Sequence, residues 1–525
     1  MTIASIQQDR GVALPAVAAG GRVRPMLVVS GAMALGAAYA GVVGQDANWD
    51  WQNYHEYNVW ALLHGGYARD VIPPGFQTYF NPAIYFPWYA LRHTLPPIAA
   101  GMVMGAVHGL NLALVWWLTR LLLGQAANTL TIGAAVLLAA FGPMTLSEVG
   151  TSFADILTSI PILAGLALML ASDNPKPSRY LWAGLLVGLA VGFKLTNIVF
   201  ALGLGLAALA ATRPLLAMSC LALGGAVGSA IGGGAWSWML WREFGNPFFP
   251  LMNSVFPSPE MQQLSILDRQ FIPRGFLDGL AYPFYWVVGN FRSSELPFRD
   301  VRFALLIVLL PVAIFARVRA AALFSRRDAQ LLIFLGVSYA AWLMLFAIQR
   351  YAVALELLTG PAIVLLLVRI FAAFGVSRLR AGMAIVAVAI VAAAWTQPTD
   401  WWRRPWSNPY APAISARLAQ PASYFLLDKP LSFVAPSLPA GSRFYMIADI
   451  ALPVLPGGMF DKRIRDGLRD PLPGGIWEMH IKGRPFKPEL LATYGLTIDA
   501  SRPCVEIEGA QLDSANVACP LVAKP

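Results

Sequence analysis

The chain is a succession of apolar runs, each near the length a bilayer demands, separated by short basic turns and a few long polar stretches. A hydrocarbon core about 30 Å thick takes roughly 20 residues of helix, because a spanning segment must satisfy its own backbone N–H and C=O groups. Such runs begin at Met26–Gly44 and recur near 98–120, 127–146, 155–171, 180–193, 197–212, 215–241, 301–316, 330–348, 353–370 and 382–396. The pattern predicts about eleven transmembrane helices.

Basic residues orient them. Arg10, Arg22 and Arg24 precede the first run, which lacks a small-residue cleavage site and so reads as a retained helix with a cytoplasmic N-terminus. Alternate crossings then place Arg120, Lys176 with Arg179, Arg213, the group Arg317, Arg319, Arg326 and Arg327, and the pair Arg378 and Arg380 on the inner side. The runs 180–193 and 197–212, joined by Lys194-Leu195-Thr196-Asn197, are counted as two short spans, since counting them once would turn the later basic loops outward. Three large polar segments then face the outside: 45–97, 242–300 and everything after Thr396.

The chain therefore divides into a cytoplasmic segment (1–25), an all-α polytopic membrane domain (26–396) and a C-terminal outer domain (397–525). In that tail, Ser442–Asp449 and Cys504–Ile507 read as strands and Pro488–Tyr494 as a short helix between Pro and Gly, which predicts a small α/β domain. Of the three cysteines, Cys220 lies in an apolar run and reads as packing. Cys504 and Cys519, on an outward-facing tail, are expected to form a disulfide.

Composition narrows the function. Of 525 residues, 57% are hydrophobic and 13% charged, against about 25% charged in soluble proteins, so an ordinary soluble enzyme is excluded. The net charge of +10 belongs to the membrane's charge asymmetry and does not point to nucleic acid. There is no Gly-Lys-Ser/Thr phosphate loop, paired-glycine dinucleotide fingerprint, CxxC or HExxH, and five scattered histidines do not make a zinc site.

The chemistry gathers at the outer ends of helices. After the first run comes Gln45-Asp46-Ala47-Asn48-Trp49-Asp50-Trp51-Gln52-Asn53-Tyr54-His55-Glu56-Tyr57, with Asp46, Asp50, His55 and Glu56 set among aromatic rings. The rings suit an interfacial belt, but acids at the end of an apolar helix are costly unless they face water or a site. A second acidic pair, Glu148 and Asp155, flanks the start of the fourth run, where Asp155 also suits a helix N-terminus. Two carboxylates at one membrane level on adjacent spans suit general-base chemistry. Cations on the outer side run against the inside bias: Lys194, Arg269, Arg274, Arg292, Arg299, Arg302 and Arg350, the last beside Tyr351. Arg299 and Arg302 lie near Glu295 and Asp300 and also suit a local ion cluster, and Arg350 also suits a snorkelling position at the interface. Phe244-Gly245-Asn246-Pro247-Phe248-Phe249-Pro250 reads as a lipid-facing loop, and His108 and Asn111 as links between helices.

One short apolar helix, an outer loop with Asp50 and Tyr54 four residues on, and a second acid, Asp155, where the fourth helix opens: this layout resembles the GT-C class of integral-membrane glycosyltransferases, which includes protein O-mannosyltransferases and lipid A aminoarabinose transferases. The resemblance covers the chain to about residue 370 and implies a GT-C type membrane domain. It implies transfer of a sugar from a polyprenyl-phosphate donor to a glycan, lipid or protein acceptor at the periplasmic face of a bacterial inner membrane, with inversion. Asp50 would be the general base, and Asp155 or Glu148 would orient the acceptor or a divalent cation, Mg or Mn. Substrate would be contacted by Asp46, Tyr54, His55, Glu56, Lys194, Arg299, Arg302, Arg350 and Tyr351, with Asp46 the alternative to Asp50 as the base. The class commonly carries Asp-Glu or Asp-Asp in the first loop, whereas Trp51 follows Asp50 here, so Asp46 and Glu56 are both candidates for the second acid. The competing readings are a lipid-linked glycan transporter or flippase, whose polar residues would sit at the midplane on repeated helices, an O-antigen ligase or polymerase, which would rely on outer Arg and His, and a non-enzymatic assembly factor docking through its tail.

Overall fold

The computed structural model describes residues 24–172, 176–262, 266, 268–289, 291–320, 324–509 and 515–524. The proposed cytoplasmic segment 1–25, save its last two residues, lies outside them. A helix stands at every apolar run: Pro25–Val43, Pro97–Leu123, Thr129–Ala140, Ala154–Leu170, Pro177–Phe193, Ile198–Ala207, Pro214–Ser229, Arg302–Arg319, Arg326–Leu345, Val353–Ala373 and Arg378–Trp395. Several start on proline, at Pro25, Pro97, Pro177 and Pro214, where the preset φ favours a helix and the missing N–H costs nothing.

Among the described residues, six helices are long and apolar enough to cross a membrane: Pro25–Val43, Pro97–Ala126, Pro214–Phe244, Arg326–Leu345, Gln349–Ala373 and Arg378–Trp395. Others expected as spans are shorter. The helix around Ile198–Ala207, taken with its 3-10 ends, runs from Leu195 to Ala210 and is short for a span. The run 127–146 is broken at Gly142, where Pro143 starts a separate turn of helix that carries Glu148.

Small residues set the helix contacts. A Cβ on Gly188 would collide with the backbone of Gly225, and one on Gly36 with that of Gly105, so each pair of helices packs backbone to backbone. The Gln349–Ala373 span is the axis of the bundle, with 89% of its apolar window buried. Its Glu356 accepts hydrogen bonds from Thr145 N and Oγ1, both 2.7 Å, and lies 3.5 Å from Arg302. Arg302 is clamped by Asp300 at 2.6 Å and donates to Leu138 O at 2.8 Å. That buried ionic knot ties together the Thr129–Ala140, Arg302–Arg319 and Val353–Ala373 helices and the short turn that starts at Pro143.

The tail is the expected α/β domain. Strands β1 (Ser423–Leu426), β2 (Arg443–Met446), β3 (Ile476–Ile481), β4 (Leu496–Ile498), β5 (Val505–Ile507) and β6 (Asn516–Ala523) form one sheet in the order β2-β1-β3-β6-β4, with β5 also on β6. β1 runs parallel to β2 and β3, and β6 antiparallel to its neighbours. The helices Met459–Arg469 and Pro488–Ala492 complete it. Cys504 and Cys519 are disulfide-bonded.

This domain is not a separate lobe. Val71, from the first outer loop, continues the sheet past β2, donating to Phe444 O at 2.8 Å and accepting from Met446 N at 2.9 Å. Ser432 donates to Asn53 O, and Asp449 accepts from Phe76 N at 3.2 Å and from Lys429 at 2.7 Å. Trp51, Tyr57 and Tyr79 of the loop share one hydrophobic core with Phe433, Phe444 and Phe460 of the tail.

Candidate functional site

The first loop is shaped to hold one acid at a cavity wall. The opening helix ends at Gly44, whose φ of 97° turns the chain out of the membrane. Asp46 then folds back: it accepts from Asn48 N at 3.2 Å, from Asn48 Nδ2 at 2.7 Å and from Ser152 N at 2.8 Å. Asn48 in turn accepts Trp51 N at 2.8 Å. Asp46 is thus occupied in stitching the loop to the approach of the Ala154–Leu170 helix. The next five residues, Trp51–His55, form a π-helical turn, a widened turn that recurs at functional sites.

Asp50 stands at its head, 4% exposed, on the wall of a cavity of about 760 Å³. It is ion-paired with Arg350, which sits in the 3-10 turn Gln349–Ala352 ahead of the axial helix. Burial pushes the Asp50 carboxyl up, but Arg350, His55 and Lys194 together outweigh it and hold the group below the usual carboxylate range. A second ion pair lies beside the first: Lys194 Nζ is 2.7 Å from both oxygens of Asp155 and 4.5 Å from the centre of the Tyr351 ring. Lys194 occupies the break between the Pro177–Phe193 and Ile198–Ala207 helices, so that break presents a cation to the cavity.

Tyr54, Lys194, Arg350 and Tyr351 line the same wall as Asp50. One layer behind, His55 Nδ1 lies 2.8 Å from Ser152 Oγ, and its ring stacks on Tyr85 at 4.0 Å. Burial pushes the His55 imidazole down to about 3, so it is neutral near pH 7. Glu148 is fully buried and accepts Ile156 N at 3.1 Å through one oxygen, while the other has no hydrogen-bond partner among the described residues. Burial, seconded by Asp155, pushes Glu148 well above the usual range, which favours a neutral acid.

Three residues expected at the site lie apart from it. Glu56 is bound to Arg92 and, at 3.0 Å, to His93 of the Phe86–Thr94 helix. Arg299 is exposed, and its backbone pairs with Gln397 at 3.0 and 3.2 Å. Arg302 belongs to the knot with Asp300 and Glu356. His108 and Asn111 do link helices, His108 accepting Gly150 N and Asn111 donating to Ile156 O.

Several cavity residues were not assigned to the site from the sequence. Phe153, Tyr85, Glu295, Trp401 and Trp402 all line it, and Glu295 lies 3.8 Å from Arg350. Trp401 and Trp402 come from the tail side of the last helix, about 350 residues from Asp50, and only an excess of aromatics in a polar stretch marked them. The wall also includes the apolar side chains of Trp236, Leu240, Phe248 and Leu251, so the loop after Phe244 does border the cavity. Among the described residues no group of three or more His, Cys, Asp or Glu side chains is gathered to hold a metal, and Asp50 and Asp155 already face cationic side chains. These residues do not fit a resident divalent ion.

Residues 79–347, just over half of the chain, match the family model for Glycosyltransferase family 87. Among solved structures, the apo oligosaccharyltransferase of Archaeoglobus fulgidus is 13% identical, with a TM-score of 0.45 over 87% of this chain and 69% of that one. No curated protein matches the sequence.

Proposed function

From membership of glycosyltransferase family 87, to which this chain belongs, we propose that it moves a sugar from a polyprenyl-phosphate donor to an acceptor hydroxyl at the outer face of the membrane, with inversion. The chain is a multi-pass membrane glycosyltransferase, as its likeness to GT-C enzymes led one to expect. In the fuller reading about eleven helices cross a bacterial inner membrane, with the N-terminus inside and the tail in the periplasm. The Cys504–Cys519 disulfide supports an oxidising compartment for that tail.

One arrangement supports the mechanism: Asp50, Arg350 and Lys194 share one cavity wall, with Asp50 paired to Arg350 and Lys194 paired to Asp155. Held by Arg350, Asp50 is a poor base. A lipid phosphate entering between the two cations draws Arg350 into a charge-assisted pair with its oxygens. Asp50, so released in a buried setting, becomes more basic and accepts the proton of the acceptor O–H. The acceptor oxygen bonds to the anomeric carbon as the bond from that carbon to the phosphate oxygen breaks. The polyprenyl phosphate leaves with its charge held by Arg350 and Lys194. Asp155 positions Lys194, and Glu148, kept neutral, adds no further negative charge beside the phosphate. The apolar wall from Trp236 to Leu251 suits the first isoprene units of the carrier.

The test is transfer by the purified protein in lipid vesicles, using radiolabelled polyprenyl-phosphate sugars. Asp50→Asn and Asp155→Asn keep the shape of the wall and are expected to fold and to lose transfer. Wild-type rates in Asp50→Asn would overturn the carboxylate mechanism.

A further inference from the structure

The segment that leaves the last membrane helix puts two indoles on the cavity wall, of which Trp402 is the more exposed. Trp401 turns inward: it is 5% exposed, its Nε1 donates to Ser147 Oγ at 3.2 Å, and its ring meets Phe153 edge-on at 5.6 Å. Arg403 also turns inward, donating to Gly44 O at 3.0 Å, Ser147 O at 2.8 Å and Val149 O at 2.7 Å. Its own N–H is held by Asp400 Oδ1 at 3.2 Å. With both neighbours pinned to the connection that carries Glu148, Trp402 is forced the other way. It adopts a φ of 59°, a left-handed backbone that a bulky side chain rarely takes. The result is a ring 36% exposed on the cavity wall.

Trp402 shares that cavity wall with Asp50, Lys194 and Arg350. It adjoins Trp401 at 6.3 Å, which meets Phe153, over which Arg350 lies at 5.6 Å, and Arg350 holds Asp50. A flat, part-exposed indole face in the cavity that also presents Asp50, Lys194 and Arg350 suits a molecule with many hydroxyls and one apolar face. A sugar ring has that character, because its axial C–H bonds form a weakly positive surface that meets the negative face of an aromatic ring. An acyl chain would instead favour the apolar side chains of Phe248 and Leu251.

Resting on the glycosyltransferase reading above, we infer that Trp402 is a stacking platform for the acceptor, and that the acceptor is a saccharide whose ring lies on the indole while its hydroxyl faces Asp50. The inner anchors Trp401 and Arg403 exist to hold that platform, which accounts for the unfavourable backbone at Trp402.

The test compares wild type, Trp402→Phe and Trp402→Leu in vesicles, with methyl glycosides of glucose, mannose, galactose and arabinose as acceptor probes. Trp402→Leu keeps apolar bulk without a flat face and is expected to raise the acceptor KM roughly 3- to 10-fold, the range of an aromatic stacking contribution. Trp402→Phe should recover most of that loss, with kcat and donor KM unchanged in both. A rise in donor KM instead, or transfer only to lipid or peptide acceptors with a KM indifferent to residue 402, overturns the assignment. A second measurement does not need transfer. Titration of the glycosides against intrinsic fluorescence, wild type minus Trp402→Phe, isolates the Trp402 signal. If no polyprenyl-phosphate sugar is used by wild type, the function proposed above fails. Saccharide-dependent quenching at Trp402 would still support the platform, and its absence would sink it.

Discussion

At the scale of the residue, one carboxylate behaves according to what is beside it. Asp50 lies below the usual carboxylate range because Arg350, more than any other group, offsets the burial that pushes it up. A group lowered in this way stays ionised as pH falls and is protonated only below its ordinary value. The acid limb of kcat/KM, which reports the free enzyme, is therefore expected below the usual carboxylate range in wild type. In Arg350→Gln the largest opposing charge is gone and burial is offset only by the smaller effects of His55 and Lys194, so the limb should move to higher pH. A pH–rate profile that does not move would separate Arg350 from the base. Asp50→Asn itself is expected to cost roughly 10²- to 10⁴-fold in kcat, the range of a lost general base. The positive charge at the site comes from Arg350 and Lys194, so transfer should persist in EDTA; loss restored by Mg or Mn would show that a divalent ion takes part.

At the scale of the element, contact distance decides tolerance. The Pro177–Phe193 and Pro214–Ser229 helices meet through Gly188 and Gly225, where even a Cβ has no room. Gly188→Leu should separate these helices and, because Lys194 ends the first of them, disturb its pair with Asp155; a lower melting temperature together with lost transfer is the expected readout. In the tail, Cys504 and Cys519 close a loop 15 residues long, for which chain entropy gives about 3 kcal/mol. The double change to serine should lower tail stability by that order in denaturant, measured as a shift in midpoint, with little effect on transfer at low temperature, since no cavity-lining residue lies in that loop.

At the scale of the whole molecule, the tail and the first loop are one structure. Val71 extends the tail sheet, Asp449 and Ser432 hold the loop backbone, and a shared core lies beneath Trp51. A chain ending at Thr396 should therefore lose transfer altogether and expose the loop to proteolysis between residues 50 and 80; wild-type protection there would make the tail a separate module. Much of this protein was legible in its sequence. Apolar run length located a helix at each expected run, because a bilayer leaves a backbone few alternatives, but not the Phe276–Val288 helix, which lies in a segment read as an outer loop. In the tail, two strand-like segments, one short helix and two cysteines outside the membrane pointed to an α/β domain and its disulfide, but not to β1, β3, β4, β6 or the Met459–Arg469 helix. The sequence also singled out Asp50, Asp155, Lys194 and Arg350, since charges at the ends of apolar helices are costly enough to stand out. It could not pair them, nor separate Glu56, Arg299 and Arg302, which look the same in sequence but close ion pairs or backbone contacts elsewhere. Which cation meets which acid, and which tryptophan reaches the cavity from some 350 residues away, is set by how helices and loops pack in three dimensions, and pairwise Coulomb and contact energies act on distances that a linear order of residues does not contain.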